Sequence, residues 1–113
     1  MSSGAERRMY IRYSSPVLTV AMGGKQFKTV NWSLTGLLLT EVDAHVVEGL
    51  PGHFQAFGIT ISEADGQPVT KVEAQMTVVW YDPAKRLLAL HTMGLTPTVA
   101  DGMLRLLGAR SID

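Results

Sequence analysis

Lys71-Val-Glu-Ala-Gln-Met-Thr-Val-Val-Trp80 is the stretch on which the fold turns. Val72, Ala74, Met76, Val78 and Trp80 alternate with Lys71, Glu73, Gln75, Thr77 and Val79. Successive side chains of an extended chain point to opposite sides, so this alternation predicts a strand with the apolar set on the core and the other face in water. Upstream, Asp65-Gly66 is a strong turn signal, and residues 53–62 alternate loosely as another strand. Downstream, Asp82-Pro83-Ala84-Lys85 turns the chain into a further strand over residues 86–92.

Toward the N-terminus, Pro16 opens a β-prone run over residues 17–22, Gly23-Gly24 is a two-residue hairpin signal, and residues 25–30 form the returning strand. Residues 36–42, Gly36-Leu-Leu-Leu-Thr-Glu-Val42, make a third strand whose apolar start suggests burial on both faces. Residues 43–52 read as a loop, because Gly49 and Pro51 break anything longer than the half turn that Val46 and Val47 allow. Beyond residue 92 the period changes. Thr98-Val-Ala-Asp101 fits a capping box, Pro97 sits near a helix start, and Val99, Met103, Leu106 and Leu107 share one face of a helix that Gly108 ends. The expected fold is mainly β, a six-stranded antiparallel β-barrel closed or plugged by a C-terminal α-helix. Residues 1–15, polar and basic without a sustained period, form a flexible arm, and residues 16–113 form the barrel domain with its helix.

The 113 residues have room for one domain with a substantial core and none for a second. Hydrophobic residues at 46% and charged residues at 18% mark a globular chain, not a disordered one. Ten Lys and Arg offset ten Asp and Glu, so no net field draws the protein to nucleic-acid polymers or anionic membranes, and any anion must be held by local groups. The absence of cysteine excludes disulfides, thiolate metal sites and a thiol nucleophile, and agrees with a cytoplasmic location. No apolar run approaches the roughly 18 residues of a membrane span. No apolar segment follows the charges of residues 1–8, so a signal peptide is not expected either.

Two polar segments carry the chemistry. Arg8 and Arg12 lie four residues apart, on one side of the chain whether it is helical or extended. A guanidinium fork bonds phosphate oxygens, or the O6 and N7 edge of guanine, in pairs, and its flat face stacks on a purine. Asn31-Trp32-Ser33-Leu34-Thr35-Gly36, set between the second and third strands, offers an amide, a hydroxyl and bare backbone for bonding the edge of a planar heterocycle at close approach. Each segment alone also fits a plainer reading, solvated charges on a terminus and a connecting turn. In this order and separation the two would coincide by chance in roughly one chain of this size in a few hundred. Together they resemble the signature of the PilZ domain, the bacterial receptor module for cyclic di-GMP, in which an RxxxR arm precedes a [D/N]xSxxG turn.

The resemblance extends over most of the chain through strand order, the Val78-Val79-Trp80 end of the long strand and the terminal helix. It implies a non-enzymatic second-messenger receptor. Arg8 and Arg12 would clamp guanine and phosphate, and Asn31, Ser33 and Gly36 would line the pocket for the second guanine. The arm would close over the ligand and present a new surface to a protein partner or fused domain. In this family the residue before the first arginine influences whether one cyclic di-GMP or an intercalated pair is held. Here it is Arg7, a third cation for the four phosphate charges of a pair, so two ligands per chain are expected.

Two departures from the pattern stand out. Asn31 replaces the commoner aspartate, and the sixth strand lacks the glycine and phenylalanine that often mark it. The alternative within the same fold is a PilZ-fold protein–protein interaction domain that does not bind nucleotide; an enzyme on a split barrel rests on fold analogy alone. No cofactor, metal or catalytic residue is expected: His45, His53 and His91 are scattered, and no GxSxG, GxxxxGK[ST] or GxGxxG occurs. Trp32 and Trp80, beside or within strands, read more simply as packing than as base-stacking residues.

Overall fold

Six strands pair antiparallel: β1 (Leu18–Met22), β2 (Lys25–Trp32), β3 (Gly36–Thr40), β4 (Phe57–Glu63), β5 (Lys71–Asp82) and β6 (Leu87–Thr92). They close into a barrel in the order β1-β2-β3-β6-β5-β4, so each strand is paired on both sides. The structure, a computed structural model, describes residues 11–52, 55–63, 70–94 and 96–111, with side chains as far as residue 107 in the last stretch. The Asp65-Gly66 turn and residues 53–54 lie outside the described residues, and the strand expected from residue 53 begins at Phe57, residues 55–56 being outside it. No described helix is long and apolar enough to cross a membrane.

The barrel interior is filled by alternate residues of each strand, among them Leu18 and Val20 of β1, Ile61 of β4, Met76 of β5 and Leu88 of β6. Gly23 and Gly24 connect β1 to β2 with φ of 59° and 82°. Positive φ at both central positions is the requirement of the hairpin turn whose twist matches the strands it joins. In β3 the alternation is regular: Leu37 and Leu39 are buried and Leu38 is only half-buried, on the outer face, so the strand is not covered on both sides as its composition suggested.

The loop expected over residues 43–52 contains a short helix, α1 (Ala44–Glu48). Asp43 stands at its N-cap in an extended conformation, Gly49 ends it, and the half-buried Val46 and Val47 pack against the core. Glycine and proline limit its length but do not prevent one turn. At the C-terminus, α2 (Pro97–Ser111) begins one residue before the Thr98 expected to cap it. Thr96 is the cap: its Oγ1 accepts from Val99 N at 3.2 Å, and Pro97 takes the first helical position, where a missing N–H costs nothing. Asp101 instead pairs with Arg105 one turn on, at 2.9 Å. Val99, Met103 and Leu106 are buried, and the helix runs through Gly108 to Ser111.

Two β-bulges shape the outer surface. In β2 the pairing with β3 runs Thr29 to Leu39 and then Asn31 to Leu38, so Val30 is an extra residue. In β5 the pairing with β6 runs Val78 to Leu90 and then Trp80 to Ala89, so Val79 is extra. Both inserted valines are exposed, at 41% and 50%. Each insertion reverses the alternation beyond it. Without the first, Asn31 would follow Thr29 inward; with it, Asn31 faces out and Trp32 is fully buried. Without the second, Trp80 would follow Met76 and Val78 onto the core; with it, Trp80 is 46% exposed and Tyr81 packs against the core in its place. The expectation that Trp80 belongs to the buried face therefore fails at the bulge.

Candidate ligand-binding site

The two bulges bring their displaced residues onto one outer face. Asn31 is paired with Leu38, Leu38 with Ala89, and Ala89 with Trp80, a single row across β2, β3, β6 and β5. Directly opposed residues of antiparallel strands share a face, so these four side chains lie side by side. The next row is Gly36, His91 and Thr77. The first row, with Gly36 and His91 of the second, floors an open depression of about 930 Å³, walled by Arg12 and Ser14 on the arm side and Val79 on the β5 side. Its volume lies within the range of about 300–1,000 Å³ common for small-molecule sites. Among the described residues that line it, Arg12 and His91 are the cationic or protonatable ones and none is a carboxylate. Within a chain of zero net charge, this is a local setting for an anion.

Trp32 holds the arm against this face. Tyr13 and Trp32 form an isolated antiparallel bridge, Tyr13 N donating to Trp32 O at 2.6 Å and Trp32 N to Tyr13 O at 2.9 Å. Their rings lie 5.2 Å apart between centroids at 47°, within the range of favourable tilted pairs. The indole Nε1–H donates to Pro16 O at 2.8 Å, so the buried ring has its one donor satisfied. One residue before Tyr13, the Arg12 Nε–H donates to Asn31 Oδ1 at 2.7 Å. A donor on that nitrogen assigns the amide oxygen to the arginine, and the amide N–H₂ is the part of Asn31 left to donate elsewhere.

The turn that closes β2 onto β3 is shorter than the hexapeptide, because β2 continues through Trp32. Ser33 and Gly36 bracket it: Ser33 N donates to Gly36 O at 2.8 Å, and Ser33 Oγ accepts from Gly36 N at 3.1 Å and Thr35 N at 3.2 Å. Ser33 is 3% exposed, and its oxygen satisfies the buried N–H of Gly36 and the half-buried N–H of Thr35. Ser33→Ala is therefore expected to destabilise the fold by about 1–3 kcal/mol in denaturant unfolding, the penalty of unmet buried donors. Unchanged stability with lost ligand binding would assign the hydroxyl to the ligand instead. Gly36 is needed for closeness, not for backbone conformation, since its φ is not in the left-handed region. A Cβ there would lie 3.2 Å from Leu90 O, 3.7 Å from Arg12 Nη1 and 3.8 Å from Ser33 Oγ.

Arg12, Asn31, Ser33 and Gly36 thus converge on one depression, although 19 positions separate the first two in sequence. Arg7 and Arg8 lie outside the described residues. Among the other lining residues, Trp80 and His91 carry side chains suited to a ligand and were not expected as ligand contacts from sequence. Local alternation pointed Trp80 inward, and a lone histidine in an apolar strand carries no spacing signal.

No protein-family model matches the chain, and no curated protein matches it. Among solved structures it is similar to the Bacillus subtilis inhibitor of motility MotI/DgrA, with a TM-score of 0.61 and 16% identity over 94% of this chain and 51% of that one. It is also similar to the Legionella uncharacterized protein Lpg0364, with a TM-score of 0.61 and 10% identity over 91% of this chain and 96% of that one. The likeness is one of fold. The chain spans about half the length of MotI/DgrA, 51%.

Proposed function

We propose that this chain is a PilZ-type receptor domain that binds cyclic di-GMP without catalysis and passes the signal to a protein partner or fused domain. The observation that carries the reading is the bond from Arg12 Nε to Asn31 Oδ1 at 2.7 Å, with Gly36 and Ser33 beside them. It joins the arm to the turn, the two segments whose conjunction resembles the PilZ signature. The fold shared with MotI/DgrA and the anion-compatible lining support the same reading. Arg12 and the Asn31 amide suit the phosphates and the purine edge, and the exposed indole of Trp80 suits the face of a guanine.

Titration calorimetry with cyclic di-GMP tests this directly, and saturable binding is the expected result. Absence of binding would leave the non-binding interaction domain of the same fold as the better reading. A saturation ratio near two that falls in Arg7→Leu would support an intercalated pair, and a ratio near one would refute it. Trp80→Ala is expected to weaken binding by the value of one base stack, about 1–3 kcal/mol, while leaving the melting temperature nearly unchanged. Equal affinity in the variant would remove the indole from the site.

A further inference from the structure

His91 lines the depression from β6, paired with Gly36 on β3 and Thr77 on β5, and its side chain is exposed. Its Nδ1 is 3.0 Å from Thr92 O. A carbonyl oxygen only accepts, so Nδ1 carries the hydrogen, and Nε2 is the ring atom at which the charge state changes. The neutral ring therefore offers a lone pair at Nε2, and the protonated ring offers a second donor. These two forms suit opposite ligand groups, an N–H on a base edge for the first and an anionic oxygen for the second.

The surroundings decide between them. Around His91, β3 contributes Gly36 and Leu38, β5 contributes Thr77 and Val79, and the arm contributes Arg12. Of these Arg12 alone is charged, and it stays charged at all relevant pH. No carboxylate is among the described residues lining the depression, so none of these competes with a bound anion for the imidazolium.

We propose that His91 is a further ligand-binding residue of this site, donating from Nε2 to a phosphate oxygen as imidazolium, so that affinity for a phosphate-bearing ligand falls as pH rises. The inference rests on the reading of the site as a cyclic di-GMP receptor and adds to it a contact outside the arm and the turn.

The test is calorimetry with cyclic di-GMP at about pH 6 and about pH 8, on wild type and His91→Gln, together with the ring-proton resonances of the histidines followed through pH with and without ligand. The wild type is expected to bind at least about fivefold more tightly at the lower pH, with the midpoint of one histidine raised by ligand; since one unit of midpoint corresponds to tenfold in affinity, the two readouts must agree. In His91→Gln the pH dependence and that shifted resonance should both vanish. Binding that is equally tight at both pH values, or tighter at high pH, overturns the His91 proposal and leaves the receptor reading standing. A pH dependence retained in His91→Gln also overturns it. No binding at either pH overturns both.

Discussion

Trp32→Ala is expected to lower the unfolding free energy by about 3–5 kcal/mol, the cost of deleting a large aromatic side chain from a core. Trp32 is fully buried and packs with the core lining of the barrel, so the cavity left behind has packed neighbours on several sides. The same substitution removes the ring that meets Tyr13 and the donor that meets Pro16 O. Stability and the attachment of the arm should therefore fall together. Trp32→Phe separates the two terms: a ring remains for the core and for Tyr13, while the bond to Pro16 O is lost. Denaturant unfolding of both variants should rank alanine well below phenylalanine and phenylalanine below wild type. Ligand affinity measured under conditions where each variant is still folded should follow the same order, because Arg12 is positioned through Tyr13. An alanine variant as stable as wild type would exclude Trp32 as the anchor of the arm.

Arg12→Ala is expected to weaken cyclic di-GMP binding by more than tenfold with little change in melting temperature. A charge-assisted contact to phosphate or guanine contributes about 1.5–3 kcal/mol, enough for that loss. Arg12 is exposed, so its removal leaves no core cavity. Arg12→Lys should recover only part of the affinity, since an ammonium keeps the charge but not the planar fork that can bond Asn31 and a ligand at once. The pair Arg12→Ala and Asn31→Ala should be less than additive, because each single change already breaks the 2.7 Å bond that orients the other side chain. Undiminished affinity in Arg12→Ala would defeat the assignment of the site.

Much of the architecture is written locally. The alternation over Lys71 to Met76, the Gly23-Gly24 turn and the apolar face of Val99, Met103 and Leu106 each report their own element, because each depends on a period or a dipeptide within a few residues. The helix cap was missed by two residues: Thr96 and Thr98 are chemically equivalent candidates, and it is Pro97 in the first helical position that makes Thr96 the cap. What the tertiary structure alone decided is the side of the sheet on which the site residues appear. Val30 and Val79 are unremarkable in sequence, two β-branched residues in β-prone runs, and nothing in their neighbourhood marks them as extra. They become extra only when β2 is laid against β3 and β5 against β6 in a closed barrel, where the register of each pair is constrained by all the others. A strand's alternation is a local property, but a bulge is a mismatch between two strands, so a single strand's sequence does not contain it. Asn31 and Trp80 reach the outer face that floors the depression through those mismatches, and Trp32 and Tyr81 reach the core through the same two.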